Sequence, residues 1–393
     1  MSFAIRGEHD ANTIAQMQEC MRHDAVAGVL CADGHKGYAQ PVGGVTAYRG
    51  KVSISGVGFD IACGNMAVKL SVAHDDIKDR LSDIGGEIAK QVSFGIGRRN
   101  ATRVEHALFD DDPAWEIPEI RSLKDMARGQ LGTVGSGNHY VDIFRDEDGF
   151  VWIGVHFGSR GLGHKTTTHY LKAAGGKDGM DVPPTVLEEH SDLGEQYIRG
   201  MRLAGRYAYA GREWVVDTVR RIVGGEVMDS VHNHHNFAWE EEHGGERLWV
   251  VRKGATPAFP GQRGFVGGSM GDVSVILRGK PAGNAGPELL FSTVHGAGRV
   301  MSRTQAAGKR KWNKSRKRWE ISSPGLVDEG RMRRDMAAKG VILIGGGADE
   351  APEVYKPLRT VLDYHADTVE IEHTLTPLIV AMAGNDIFDP FKD

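Results

Sequence analysis

Glycine is the feature that most constrains this chain, because 53 of its 393 residues are glycine, about twice the usual share. These glycines do not form a low-complexity tract. They cluster beside histidine, arginine, asparagine and serine, as in the segment GSGNH at residues 135–139. Glycine permits positive φ angles and lets the backbone approach a ligand closely. The sequence therefore predicts a fold with many tight turns, several of which present polar side chains to a ligand.

The pattern of apolar residues predicts a mixed α+β fold. Short apolar runs separated by glycine turns over residues 26–70 are typical of strands, and residues 151–155 predict a buried strand with His156 at its end. Helical patterns are found at residues 164–174 and 350–363, and the pattern over residues 192–223 fits one long amphipathic helix or a broken pair of helices. Short strands outnumber βαβ units, so we expect a single α+β domain over residues 1–393, with sheets surrounded by helices.

Charge and cysteine content limit the classes of protein to consider. The net charge of −4 is not typical of a nucleic-acid binder, but residues 308–318 carry seven positive charges, with Trp312 among them and Trp319 just beyond. That segment is either a solvated loop or a surface that follows RNA phosphates. Three cysteines, no signal-peptide pattern and no apolar run of membrane-spanning length predict a cytoplasmic protein with no membrane partner.

Donors for a transition metal occur in glycine-rich segments that are far apart in sequence. They are Asp60, Cys63, His139, His156 and the histidines of the run at residues 232–235. Four such donors would satisfy one zinc ion, whereas two ions sharing the thiolate would use five. Manganese, zinc, iron and cobalt all suit this donor set, and composition does not choose among them.

Three glycine loops have the character of phosphate-binding segments. They lie at residues 158–163, 267–271 and 295–299, each with arginine, serine or histidine alongside. Backbone amides and arginine side chains in such loops bind anions. No P-loop motif is present, so the sequence predicts phosphate chemistry of another kind.

An ordered set of motifs resembles one known family. The motifs are DGHKG (33–37), GVGFDIACG (56–64), GTVGSGNH (132–139), HFGSRGLG (156–163), HHN (234–236), RKGAT (252–256), GSMG (268–271), HGAGRVMSR (295–303) and APEVYK (351–356). In content and order they resemble the RtcB-type RNA ligases, GTP- and manganese-dependent enzymes of tRNA splicing and RNA repair.

The resemblance implies a centre of two manganese ions. Asp60, Cys63 and His139 would hold one ion, and Cys63, His156 and His235 would hold the other, with the thiolate as a bridge. His235 is preferred to His232 because the family places the ligand directly before asparagine and after another histidine. The pair formed by His232 and the next asparagine satisfies part of that pattern.

The resemblance also implies a reaction. His295 would attack GTP and carry GMP, which would pass to an RNA 3′-phosphate released from a 2′,3′-cyclic phosphate, giving an RNA-3′-pp-5′-G intermediate. A 5′-hydroxyl end would then join and release GMP. The implied nucleotide and phosphate contacts are Asn138, Asp142, Arg160, Ser269, Met270, Gly296, Ala297, Gly298, Arg299 and Tyr355.

Three positions depart from the family pattern and indicate a divergent branch, specialised for RNA repair. Asp142 stands where glutamate is common, Gly267 replaces a common proline, and Ala383 stands where a guanylate-contacting lysine is usual; Lys392 lies nine residues further on. Two other functions stay open: a metal-dependent phosphoesterase that opens cyclic phosphates without ligation, and a non-catalytic binder of RNA ends. The sequence leaves the natural RNA and any activating protein unspecified.

Overall fold

The computed structural model describes residues 3–313, 315–316 and 318–384. The strands are β1 (Ala4–Ile5), β2 (Ala27–His35), β3 (Val42–Tyr48), β4 (Lys51–Ser53), β5 (Gly64–Ala73), β6 (Ser93–Phe94), β7 (Thr133–Gly135), β8 (Tyr140–Arg145), β9 (Phe150–Phe157), β10 (Val186–Glu188), β11 (Val227–His234), β12 (Asn236–His243), β13 (Glu246–Lys253), β14 (Ala255–Pro257), β15 (Arg263–Val266), β16 (Ser274–Gly279), β17 (Ser292–Val294), β18 (Lys309–Asn313), β19 (Arg318–Ser323), β20 (Ile342–Gly346) and β21 (Val369–Gly384).

The α-helices are α1 (Ala11–Arg22), α2 (Ile54–Val57), α3 (His74–Ile77), α4 (Leu81–Gln91), α5 (Leu108–Asp111), α6 (Pro118–Arg121), α7 (Lys124–Gln130), α8 (Arg160–Ala173), α9 (Asp192–Val223), α10 (Ala285–Glu288), α11 (Arg303–Ala307), α12 (Glu329–Ala338) and α13 (Leu358–Asp363). Short 3-10 turns lie at Lys78–Arg80, Pro113–Glu116, Ala348–Glu350 and Pro352–Val354. Helices and mainly antiparallel sheets occur together, which confirms the predicted α+β class.

The larger sheet has the strand order β11-β5-β9-β8-β21-β16-β15, with β20 parallel to β21. It nearly closes on itself, because side-chain amides bridge the two ends. Asn65 Nδ2 donates to the carbonyl of Phe265 at 2.8 Å, and Asn233 Oδ1 accepts from the amide of Phe265 at 3.0 Å. These amides take the place of a backbone ladder and join β5 and β11 to β15.

The second sheet has the order β1-β2-β3-β13-β12 and separates two parts of the core. Leu30, Tyr48 and Trp249 pack with residues of α1 and α9 in one apolar cluster. Val29 and Val250 belong to a second cluster that includes residues of β17 and α13. Burial on both faces of this sheet fixes the strands that lead into the site described below.

Helix α9 is a single unbroken helix of 32 residues, as the apolar pattern allowed. Ser191 caps its start by accepting a hydrogen bond from the amide of Gly194 at 3.1 Å. Its apolar stripe, which includes Tyr197 and Met201, is buried, while its other face carries charge. Among the residues described, no helix has both the length and the apolar character needed to cross a bilayer.

Local structure differs from the sequence prediction in three places. Within residues 26–70, where the sequence predicts only short strands, residues 54–57 form the short helix α2, which the Ser53 hydroxyl caps. The helix expected over residues 164–174 begins earlier, at Arg160. Residues 350–363 form two 3-10 turns and the short α13 instead of one helix. Pro352 and Pro357 interrupt the backbone hydrogen bonding there, because proline has no amide hydrogen.

Candidate active site

The predicted metal donors meet at one edge of the large sheet. Cys63 directly precedes β5, His139 precedes β8, His156 lies near the end of β9, and His235 follows β11. These strands are neighbours in the sheet and pair antiparallel. In an antiparallel sheet the start of one strand lies beside the end of the next. Donors that are far apart in sequence are therefore brought together.

One group of donors consists of Cys63, His156 and His235. Cys63 Sγ lies 3.2 Å from His156 Nε2, which lies 3.3 Å from His235 Nε2. All three side chains are buried. Metal–ligand bonds of about 2.0–2.3 Å place neighbouring donors roughly 3–4 Å apart, so this spacing fits ligands of one ion.

A second group consists of Asp60, Cys63 and His139. Asp60 Oδ2 lies 3.0 Å from His139 Nε2, and Cys63 Sγ lies 3.6 Å from the same nitrogen. In both groups the donor atoms lie within 4.8 Å of one another, and Cys63 belongs to both. The arrangement offers two adjacent metal positions with the thiol sulfur between them.

Backbone carbonyls set the tautomers of two of these histidines. His139 Nδ1 lies 2.9 Å from the carbonyl oxygen of Val134, and His156 Nδ1 lies 2.9 Å from that of Asn138. A carbonyl oxygen only accepts, so each Nδ1 carries the hydrogen and donates it. Each Nε2 then faces the donor cluster, and an imidazole with Nδ1 bonded to a carbonyl and Nε2 directed at the ion is the usual arrangement of metal-binding histidines.

Burial and neighbouring charges set the protonation of the donors in the metal-free protein. Burial, together with the charge of His139, lowers the pKa of His156 to about 3. Burial opposes charge on Asp60, but the hydrogen bond and charge of His139 lower its pKa below the usual value. Burial and the charge of Asp60 raise the pKa of the Cys63 thiol well above its usual value. Metal binding at this cysteine would therefore release a proton.

The other histidines of the 232–235 run contact a buried arginine. Arg212 Nε donates to His232 Nε2 at 2.8 Å, and Arg212 Nη2 lies 3.0 Å from His234 Nδ1. Arg212 Nη1 donates to the carbonyls of Ala62 at 3.0 Å and Phe157 at 2.6 Å. These carbonyls belong to residues next to two of the metal donors. Arg212 therefore holds the backbone beside two of the metal donors. The sequence did not indicate this role, because α9 carries several other charged residues.

His295, the predicted nucleophile, is held by a carboxylate to which the sequence reasoning gave no role. Its Nδ1 lies 2.6 Å from Asp33 Oδ2, which also accepts from the amides of His295 at 3.0 Å and Gly296 at 3.4 Å. Burial opposes charge on Asp33, but the charge and hydrogen bonds of His295 keep its pKa below the usual value. The His295 ring centroid is 4.8 Å from that of His235. With Nδ1 occupied, Nε2 is the nitrogen available for chemistry.

These groups surround a cavity of about 380 Å³. Its wall includes Asp60, Cys63, His156, His235 and His295, and also the predicted nucleotide contacts Asn138, Asp142, Ser269, Met270, Gly296, Ala297, Gly298, Arg299 and Tyr355. Lys253 also faces the cavity and was missed; its ammonium donates to the carbonyl of Tyr38, and burial lowers its pKa to about 8.

Arg160 is placed differently from the other predicted contacts. Its Nη1 lies 3.4 Å from His139 Nδ1, behind the ring of a metal donor and outside the cavity wall described above. Its guanidinium also lies against Gly135, where an added Cβ would come within 2.0 Å of Nη2. Gly135 has a φ of +94°, so both space and backbone conformation require glycine there.

Two of the departures from the family pattern, Asp142 and Gly267, line the cavity, as does Tyr140. Tyr140 and Asp142 are both buried, and the Tyr140 hydroxyl and Asp142 Oδ1 have no hydrogen-bond partner among the described residues. Burial raises the pKa of Asp142 well above its usual value. A Cβ at Gly267 would come within 2.3 Å of the Tyr140 hydroxyl. The glycine at position 267 therefore makes room for this tyrosine.

The third departure lies elsewhere. Val380 and Met382 line the cavity, whereas Ile379 and Ala381 pack in the cluster that contains α4. Side chains alternate along a strand, so Ala383 shares the face of Ala381 and not that of Met382. Lys392, the lysine that could take the place of the family lysine missing at position 383, lies outside the described residues.

Comparison with known proteins agrees with the motifs. The family model described as "tRNA-splicing ligase RtcB" matches residues 10–119 and 117–383. The tRNA-splicing ligase RtcB of Archaeoglobus fulgidus is 33% identical, covering 95% of this chain and 91% of its own length. The tRNA-splicing ligase RtcB of Thermococcus kodakarensis is 30% identical, covering 90% and 87%, and the RNA-splicing ligase RtcB of Escherichia coli K12 is 30% identical, covering 93% and 91%. With its motifs in order and its length matched, the chain belongs to the RtcB family.

Proposed function

We propose that this protein is a GTP- and manganese-dependent RNA ligase that joins 2′,3′-cyclic-phosphate or 3′-phosphate ends to 5′-hydroxyl ends, in RNA repair or tRNA splicing. One observation carries the proposal. His295 is fixed through Nδ1 by the buried Asp33, next to His235 of a two-position metal cluster. A histidine held in this way supports nucleophilic attack through Nε2 on a phosphate in the cavity.

Two Mn²⁺ ions, held by Asp60, Cys63 and His139 and by Cys63, His156 and His235, would neutralise phosphate charge and polarise the phosphorus–oxygen bonds. The donor set supports this assignment because it combines a carboxylate, a thiol shared by both groups and imidazoles with their Nε2 atoms turned inward. His232 is not included, because it accepts a hydrogen bond from Arg212.

The proposed reaction begins with His295. Its Nε2 lone pair attacks the α-phosphorus of GTP, a nitrogen–phosphorus bond forms, and pyrophosphate leaves. Asp33 accepts the Nδ1 hydrogen bond throughout and stabilises the positive charge that develops on the ring. Water first opens a 2′,3′-cyclic phosphate to a 3′-phosphate. An oxygen of that phosphate then displaces His295 from the guanylate, which gives RNA-3′-pp-5′-G.

The last step joins the two RNA ends. The 5′-hydroxyl oxygen attacks the 3′-phosphate phosphorus, GMP leaves, and the junction keeps the phosphate of the 3′ end. Two cationic side chains on the cavity wall are placed to hold phosphate. Arg299 is anchored by the carbonyl of Asp349 at 2.7 Å and the hydroxyl of Tyr355 at 3.1 Å, while Lys253 contacts carbonyl oxygens. Both can hold anionic groups of the nucleotide or RNA.

The direct test is covalent labelling with α-³²P-GTP and Mn²⁺. The wild-type protein should gain a label that is labile to acid and stable to alkali, as expected for a nitrogen–phosphorus bond. His295→Ala should gain none, while the matched control His190→Ala, whose side chain is 82% exposed, should label normally. Absence of label with every nucleotide would overturn the proposal.

Product analysis separates the other functions. An RNA with a 2′,3′-cyclic phosphate is incubated with a 5′-hydroxyl RNA, with and without GTP. Joined RNA that depends on GTP supports the ligase. Ring opening without joined product, in the absence of nucleotide, would support the phosphoesterase instead. RNA binding that is indifferent to metal and to His295→Ala, with neither product, would support a binder of RNA ends.

A further inference from the structure

The described residues of the basic segment belong largely to two paired strands, β18 and β19, a hairpin that the proposed reaction does not use. Strands β18 and β19 pair antiparallel, with Trp312 opposite Trp319 and Lys311 opposite Glu320. The segment at residues 309–318 contains seven lysines and arginines and no acidic residue. The chain as a whole carries a net charge of −4, so this is a local concentration of positive charge.

The hairpin is connected to the cavity by the short helix that precedes it. It follows α11, whose first residue, Arg303, lines the cavity and donates to Glu350 Oε1 at 3.0 Å. After the hairpin the chain returns to the same helix. The amide of Leu326 donates to the carbonyl of Gln305 at 2.9 Å, and the amide of Val327 to that of Ala306 at 3.1 Å. Both ends of the hairpin are therefore anchored to a helix that starts at the cavity.

Three described cations of the hairpin are open to solvent. Lys309, Lys311 and Arg316 are exposed, and Arg316 pairs at the surface with Glu320, at 3.1 Å. A surface ion pair of this kind contributes little to stability. This ion pair therefore does not account for the number of lysines and arginines in the hairpin.

We propose that this hairpin is an RNA-binding arm that holds the single-stranded segment leading to the reacting end. Charge complementarity favours this partner, because a phosphate backbone is neutralised by clustered lysine and arginine. Trp312 and Trp319 are paired in the strand register, and tryptophan is a residue type on which bases stack in sequence-tolerant binding. A five-residue strand spans about 16 Å, enough for roughly five stacked nucleotides. The partner rests on the proposed function, since the arm serves the same cavity.

The test compares two sets of substitutions in the full-length protein. The arm variant carries Lys309→Gln, Lys311→Gln and Arg316→Gln. The matched control carries Arg22→Gln, Lys78→Gln and Lys90→Gln, which also remove three exposed cations, each beside an acidic residue. Fluorescence anisotropy measures binding of single-stranded RNA of about 20 nucleotides and of about 4 nucleotides over a range of salt concentrations.

We expect the arm variant to bind the long RNA at least about tenfold more weakly at low salt and to lower the slope of log affinity against log salt by about 2. The control variant and binding of the short RNA should change less than twofold. Trp312→Leu should weaken binding of the long RNA by about fivefold or more. Equal losses in the arm and control variants would overturn the proposal, as would equal losses for long and short RNA.

Covalent labelling distinguishes this inference from the proposed function. The arm variant should label with GTP at the wild-type rate, because labelling needs no RNA, and this also shows that it folds. In ligation its KM for long RNA should rise while kcat stays within about twofold. If the wild-type protein never labels but RNA binding still depends on the arm, the proposed reaction fails and the arm stands. If labelling occurs and the arm has no effect on RNA binding, only the arm is refuted.

Discussion

Replacing Asp33 tests the role of this carboxylate in the candidate site, and the structure distinguishes two substitutions. Oδ2 accepts three hydrogen bonds, from His295 Nδ1 and from the amides of His295 and Gly296. In Asp33→Asn the two backbone donors should orient the carbonyl oxygen of the new side-chain amide into the Oδ2 position. The tautomer of His295 is then preserved and only the charge is lost. Asp33→Ala removes both the charge and the orientation.

The magnitudes follow from the kind of hydrogen bond that is lost. A hydrogen bond to a charged group contributes about 1.5–3 kcal/mol, and one between neutral groups about 0.5–1.5 kcal/mol. Losing the charge alone therefore costs about 1–2 kcal/mol, or roughly a 5- to 30-fold slower formation of the labelled histidine. Asp33→Ala should be slower by on the order of a thousandfold or more, because the ring loses its tautomer as well.

Rapid-quench labelling with GTP under single-turnover conditions measures both rates. The Asp33→Asn substitution would also place an NH₂ group at the position of Oδ1, a buried oxygen without a hydrogen-bond partner among the described residues. If the NH₂ group is left unpaired, the cost is about 1–3 kcal/mol of stability. Urea unfolding separates that loss from the change in rate. An Asp33→Asn variant that is as slow as Asp33→Ala would refute the argument about orientation. A wild-type rate in either variant would refute the role of Asp33 altogether.

Three further predictions follow from the site. Gly267→Ala should weaken nucleotide binding and lower stability, since the new Cβ would lie 2.3 Å from the Tyr140 hydroxyl. Adding Tyr140→Phe should restore at least half of the lost unfolding free energy, measured as a double-mutant cycle. Arg212→Met should lower the unfolding free energy by about 3 kcal/mol or more and weaken Mn²⁺ binding in calorimetry, because two carbonyls beside the metal donors lose a buried charged donor. Asp142→Asn should stabilise the nucleotide-free protein against urea near pH 8 but not near pH 4. The pKa of the Asp142 carboxyl is raised in the folded protein, so this group lowers the free energy of unfolding once the pH exceeds its pKa in the unfolded chain.

Each of these predictions has an outcome that contradicts it. Additive effects of the Gly267 and Tyr140 substitutions would show that the two residues do not compete for space. Unchanged Mn²⁺ affinity in Arg212→Met would mean that the carbonyl contacts do not position the donors. A stabilisation by Asp142→Asn that is the same at both pH values would trace the effect to packing and not to the carboxyl charge.

Much of the candidate site could be predicted because its chemistry is carried by side chains in recognisable order. The family resemblance implied Cys63, His156 and His235 as one ligand group, and the structure brings their donor atoms together. Their distances could not be predicted, since they depend on the strand order of the large sheet. That order is set by packing between segments hundreds of residues apart, which local patterns do not record. The assignment of residues 1–393 to a single domain stays a prediction.

Two of the site residues that could not be predicted from the sequence support other residues. Asp33 and Arg212 act through hydrogen bonds to other residues, and nothing in their local sequence shows what they contact. Arg160 was predicted as a phosphate contact from its glycine loop, but helix α8 begins at this residue and its guanidinium lies behind His139. Side-chain direction at the start of a helix depends on how the preceding turn packs, which the motif does not specify. The phosphate contact of Arg160 stays a prediction.

The separation of Asp33 and His295 along the chain also affects when the protein becomes active during synthesis. The two residues are 262 positions apart. At a synthesis rate of about 5–20 residues per second, the nucleophile emerges roughly 13 to 50 s after the carboxylate that orients it. The five proposed metal ligands are all made within that interval. The proposed metal donors are therefore synthesised before His295, so the proposed covalent step has to wait until most of the protein has been translated.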